Sequence, residues 1–164
     1  MKIFLKVISL CLLPTLIAGQ QKNPYLNSLY RSLSAASNDT ARMEVYTKLG
    51  SYYRLEDRDS SSFYTEKALP IATRLNLKLN EASILNGMGI IMMQQEKFSK
   101  SLEFYLKAIN IAKDPAIEKT IWGLSPGQSP ENARTLELSR SYDLIGMLNA
   151  YAGNWSDNIK NQLK

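Results

Sequence analysis

Between residues 81 and 112 the apolar and polar positions of EASILNGMGIIMMQQEKFSKSLEFYLKAINIA fall into two helical periods with a break between them. In the first, Ala82, Leu85, Met88, Gly89 and Met92 share one face while Ile84 and Ile91 add a second apolar line, which predicts a helix covered on two sides. In the second, Leu102, Tyr105, Leu106, Ile109 and Ala112 make one stripe, interrupted by Ser101, Lys107 and Asn110 so that the remaining face stays wet. Glu96 and Lys97 break the pattern, Phe98 is placed to pack back between the helices, and Ser99 offers a side-chain oxygen to the free amides of the second helix. Gly89 and Ser101 are small where the two backbones are expected to cross closely.

The same order recurs upstream. Residues 23–33 carry Leu26, Leu29, Tyr30 and Leu33 at helical spacing after Pro24, predicting a short leading helix. A turn follows, with Asn38 or Asp39 available to cap a helix beginning near Thr40. Met43, Tyr46, Leu49, Gly50 and Tyr53 then reproduce the first helix of the 81–112 stretch. Its partner supplies Tyr64, Ala68, Leu69, Ile71, Ala72 and Leu75, with Ser61 at the small position. Here the turn after Arg54 reads one residue shorter, Pro70 is expected to kink the helix, and the helix is expected to run on through Asn76 and Leu77, because Leu49 and Met88 are 39 positions apart.

Downstream, Asp114 and Pro115 read as a cap and a first-turn proline, and Gly123, Pro126, Gly127 and Pro130 mark a loop. Ser129, Pro130 and Glu131 then read as cap, first position and favourable charge of another helix. Tyr142, Ile145 and Gly146 repeat the first-helix pattern, a turn is expected at Gly153 and Asn154 with Trp155 after it, and a second helix from Ser156 is left unfinished.

These positions resemble the tetratricopeptide repeat, a 34-residue helical hairpin with a Leu-Gly pair, a later small residue, an aromatic and an alanine. The roles fall on Met88 and Gly89, Ser101, Tyr105 and Ala108, with Leu85 as the first large residue and Pro115 near the closing proline. The resemblance implies an all-α fold of antiparallel helical hairpins stacked as a short right-handed solenoid, with copies over about 40–79, 80–113 and, incompletely, 138–164, and an inserted loop and helix start over about 114–137. Over residues 23–114 the arrangement resembles exported tetratricopeptide sensor regions that precede membrane-bound bacterial signalling modules, although no such module or span follows. Either the chain is a fragment of such a protein or it is a free-standing relative.

The family geometry implies a concave face lined by Glu44, Thr47, Ser51 and Arg54, by Ser83, Asn86, Ile90 and Met93, and by Arg140, Asp143, Met147 and Ala150. Asn86 falls where chaperone-binding relatives contact a peptide carboxylate, but the accompanying lysines are missing, which argues against a terminal-carboxylate receptor. The implied function is an exported interaction scaffold or sensor that binds a peptide or protein segment. The alternative is an assembly accessory of the cell envelope packing through its open end and the Trp122 loop, where Trp122 is either a recognition anchor or a cover for the end of the stack.

Composition narrows the classes further. The chain opens with Lys2 and Lys6 before an apolar run from Val7 to Ala18 and then polar residues, the pattern of a secretory signal peptide over 1–19 cleaved near Ala18 or Gly19, and of a periplasmic or envelope location. Cys11 lies inside that run, so residues 20–164 contain no cysteine and no disulfide. There is no histidine, no Gly-rich phosphate loop, and the carboxylates Glu56, Asp57 and Asp59 read as a solvated turn, so no enzyme chemistry, cofactor or metal is expected. The net charge of +5 is spread along the chain without a basic stripe, which argues against nucleic-acid binding.

Overall fold

A computed structural model describes residues 23–162, with side chains to residue 153. It is all-α. In chain order come α1 (Pro24–Ala35), α2 (Asp39–Tyr53), α3 (Arg58–Arg74), α4 (Lys78–Gln94), α5 (Phe98–Ala112), a 3-10 helix (Pro115–Thr120) and α6 (Pro130–Gln162), with no strand among the described residues. The expected signal segment lies outside the described residues.

Polar side chains start the helices where the sequence offers them. Asn23 Oδ1 accepts the amides of Tyr25 (3.0 Å) and Leu26 (3.3 Å) with Pro24 in the first turn, and Asn38 Oδ1 accepts that of Ala41 at 2.9 Å. Asp57, expected only to sit on a solvated turn, caps α3 through the amides of Asp59 (3.1 Å) and Ser60 (3.3 Å) and the Ser60 hydroxyl (2.6 Å), which hold its carboxyl below the usual range. Asp39 joins the start of α2 to the end of α3 by accepting from Arg74 at 2.6 Å, and it pairs with Arg42 at 3.0 Å.

The helix ends correct two sequence expectations. α3 does not run on through Asn76 and Leu77: it stops at Arg74, Asn76 takes φ 54°, and the amides of Leu77 and Asn76 return to the carbonyls of Ala72 (2.9 Å) and Thr73 (3.1 Å). α4 ends the same way, with Glu96 at φ 59° and the amides of Lys97 and Glu96 bonded to Met92 (2.9 Å) and Met93 (3.0 Å). Both are Schellman closures, in which a left-handed residue turns the chain sharply out of the helix. This closure, and not Ser99, sets up the next helix: α5 begins at Phe98 with Lys97 in the cap position and no side-chain cap. α3 stays helical through Pro70.

Successive helices pack as neighbours, most extensively α2 with α3 and α4 with α5. Both pairs run antiparallel, since Gly89 meets Ser101 near the turn while Ala82 packs with Ala108 at the far end. At each crossing a buried serine donates to a glycine carbonyl: Ser61 Oγ to Gly50 O at 2.7 Å, and Ser101 Oγ to Gly89 O at 2.8 Å. The first pair is 11 residues apart and the second 12. The turn after Arg54 is not the shorter one: α2 ends three residues after Gly50 whereas α4 continues five beyond Gly89, a two-residue difference that a connection one residue longer, 54–57 against 95–97, reduces to one.

Tyr105, buried with Met93, Leu144 and Leu148 and bordered by Phe98 and Ile145, joins α4, α5 and α6. Met43, Ala68, Ala72 and Ile84 join α2, α3 and α4, and Leu29 with Val45 and Leu49 seats α1. Leu102 and Leu106, expected on the apolar stripe of α5, stand exposed. The buried α5 face is formed by Ser101, Tyr105, Ala108, Ile109 and Ala112. Where a turn was expected at Gly153 and Asn154 the chain stays helical, so α6 is one 33-residue helix.

A tyrosine assembly closes the α1 end. The Tyr30 hydroxyl lies 2.8 Å from that of Tyr53 and 3.2 Å from that of Tyr64, and the rings of Tyr53 and Tyr64 stack at 5.8 Å. The hydrogen bond with Tyr30, together with burial, raises the Tyr53 hydroxyl pKa. Burial and then the bond with Tyr30 push that of Tyr64 up to about 12.

Candidate functional site

Five of the residues expected on a concave face meet in one cleft. Thr47, Ser51 and Arg54 of α2, Ser83 of α4 and Arg140 of α6 line a space of about 90 Å³, together with Gly50, Thr65, Ile84 and Gly87. Helical spacing brings Thr47, Ser51 and Arg54 to one stripe of α2. α6 crosses α4 so that Arg140 faces them.

The cleft is cationic. Among the described residues Arg54 makes no ion pair or hydrogen bond, and Arg140 has only a 3.9 Å approach to Glu137 Oε2. Two guanidiniums stand beside the hydroxyls of Ser51 and Ser83, while those of Thr47 and Thr65 donate to the carbonyls of Met43 (2.9 Å) and Ser61 (2.7 Å), and the wall suits a carboxylate or another anion.

The other expected residues are placed differently. Glu44 pairs with Lys48 one turn along α2, at 2.5 Å, and does not line the cleft. Asn86 is fully buried, its Nδ2 donating to Glu137 Oε1 at 2.7 Å and to Ser141 Oγ at 2.8 Å. Met93 is buried and Ile90 half-buried against the Tyr105–Leu144–Leu148 cluster. These three lie under α6, whose apolar face covers that part of α4. Asp143, Met147 and Ala150 are exposed on α6 away from the cleft.

A second cleft adjoins the first, and Trp122, expected either as a recognition anchor or as a cover for the end of the stack, lines it. It holds about 200 Å³ between α4, the start of α6 and the 121–129 loop, lined by Leu79, Asn80, Ser83, Trp122, Leu124, Leu136 and Glu137 among others. Ser83 borders both clefts, and Glu137, largely buried by its bond to Asn86, stands between them. Trp122 remains 42% exposed and Leu136 64% exposed, so neither is absorbed by the core. The loop is held by Gly123 and Gly127 at φ 78° and 81°, by the Gln128 amide on Ser125 O at 3.0 Å, and by Ser129 Oγ accepting the Asn132 amide at 3.1 Å.

A pocket of about 320 Å³ near Asn76, Lys78, Asn110 and Ile117 holds no converging charges beyond Lys78, which is bound to Glu81 at 2.9 Å, and Asp114, which caps the 3-10 helix. Among the described residues no three His, Cys, Asp or Glu side chains gather as metal ligands do, and no helix is long and apolar enough to cross a membrane. In comparisons with known proteins, no family model matches the chain, and no curated protein or solved structure matches it.

Proposed function

We propose that the chain is an exported tetratricopeptide-like interaction scaffold whose cleft between α2, α4 and α6 binds a peptide or protein segment. The observation that carries this reading is the convergence of Thr47, Ser51, Arg54, Ser83 and Arg140 on one cleft whose Arg54 guanidinium is unpaired among the described residues. A guanidinium held without a counter-charge beside hydroxyls is free to take one from a partner.

The repeat reading is supported by the two helical pairs, which share the serine-to-glycine crossing. In such scaffolds recognition lives in the faces that successive units present, not in the fold itself. Export is supported by the charged and apolar pattern of residues 1–19 and by the lack of cysteine after it.

Peptide-display selection on the purified chain, followed by Arg54→Ala and Arg140→Ala, tests the proposal. Each variant is expected to weaken the selected peptides about tenfold, the effect of losing a charge-assisted hydrogen bond, while circular dichroism at 222 nm stays unchanged. Peptide binding indifferent to both variants would remove the cleft from the function.

A further inference from the structure

The two clefts are contiguous at Ser83, and they differ in chemistry. One presents Arg54 and Arg140, and the other presents Trp122 and Leu136 with half-buried Leu79 and Ile121 behind them. Leu136 and Arg140 stand one helical turn apart on α6, a rise of about 6 Å. An extended peptide advances about 3.3 Å per residue and sends alternate side chains to the same side, so residues two apart span that interval.

Resting on the scaffold reading above, we propose that the occupant is an extended peptide segment carrying an aspartate or glutamate side chain for Arg54 and Arg140 and, two residues away, a large apolar side chain for Trp122 and Leu136. Charge complementarity fixes the first contact. Glu44 is engaged by Lys48 and Glu137 by Asn86, so among the described residues the two guanidiniums have no close carboxylate of their own beyond the 3.9 Å approach of Glu137. The second contact uses an aromatic left part-exposed in a loop whose left-handed glycines and internal hydrogen bonds fix its path before any partner arrives. Such preorganisation lowers the entropy lost on binding.

Charge complementarity acting together with an apolar anchor distinguishes this occupant from a free phosphate or other small anion, which would leave the Trp122 cleft empty.

The test is selection from a random seven-residue display library on the full chain, then fluorescence anisotropy of a synthetic winner with blocked ends. Enrichment of an acidic and a large apolar residue two positions apart is expected. Replacing the acidic residue by its amide should weaken binding about tenfold to the wild type but not to an Arg54→Ala, Arg140→Ala double variant. Replacing the apolar residue by alanine should weaken binding to the wild type but not to Trp122→Ala. Equal losses in every combination would overturn the pairing, because each site would then act independently of its assigned side chain. Enriched peptides lacking the acidic–apolar pair would overturn this inference and leave the scaffold standing, whereas failure to enrich any peptide would overturn both.

Discussion

The Ser101 hydroxyl donates to the carbonyl of Gly89 at 2.8 Å where α5 crosses α4, and the backbone approach this requires leaves no room for a side chain at residue 89. A β-carbon there would enter the ring of Tyr105, itself fully buried among Met93, Leu144 and Leu148. Gly89→Ala is therefore expected to cost about 1–3 kcal/mol by overpacking. At Gly50 the obstacle is the Thr65 hydroxyl at 2.5 Å, the end of a small side chain, so Gly50→Ala should cost less. Gly146→Ala, in open space on α6, should stabilise by about 0.5–1 kcal/mol by removing a helical glycine. Urea midpoints of the three variants check the order, and a Gly89→Ala protein as stable as Gly146→Ala would contradict the close crossing.

Glu96 holds the left-handed position that closes α4, a conformation strained for any residue with a β-carbon. Glu96→Gly should raise stability by about 1 kcal/mol. Asn76→Gly should gain less, since asparagine tolerates this region better. Thermal melts of both variants decide, and a lower Tm for Glu96→Gly would show that the Glu96 side chain matters more than its backbone.

Asn86 supplies both donors that tie α4 to Glu137 and Ser141 of α6. Asn86→Ala leaves a largely buried carboxylate and a buried hydroxyl short of partners and is expected to cost about 2–3 kcal/mol. The loss should be local. Hydrogen exchange is expected to quicken along the middle of α6 while α2 and α3 keep their protection. Uniform acceleration across all helices would instead mean that α6 unfolds only with the rest.

The Tyr30–Tyr53–Tyr64 assembly predicts an alkaline transition. Tyr53 and Tyr64 hold their protons more tightly folded than unfolded, Tyr64 to about 12. The stabilisation is present in full below the ordinary tyrosine value of about 10 and is lost as pH rises toward 12, because the unfolded chain releases those protons first. Absorbance at 295 nm should show one group of tyrosines ionising near the ordinary value and a delayed group that ionises together with loss of helix. Tyr30→Phe should bring the delayed group earlier. Ionisation of every tyrosine in a single early step would rule out the hydroxyl network joining Tyr30, Tyr53 and Tyr64.

The contrast between what was legible and what was not has a physical basis. Gly50 with Ser61 and Gly89 with Ser101 stood out in the sequence because a close crossing restricts residue size at fixed helical offsets. Asn86 and Met93 had the spacing of surface positions on α4, but spacing does not say whether a later helix comes to cover them, and α6 does. Gly153 and Asn154 are turn-prone residues, yet the helix continues through them. The tyrosine hydroxyls meet across separations of 23 and 34 residues, and the Trp122 cleft joins α4 to a loop and to α6. Neither arrangement has a local period to betray it.

Because α6 forms one wall of both clefts, a segment gripping Arg140 and Leu136 from one side and Ser83 from the other can bind only while α6 is docked on α4. Occupancy and the docking of α6 are thus thermodynamically linked. A ligand at a hundred times its Kd adds about 2.7 kcal/mol to the stability of the docked form. The same relation runs backwards, so on the proposed reading a substitution that loosens α6, even at fully buried Asn86, would weaken binding at a cleft it never touches.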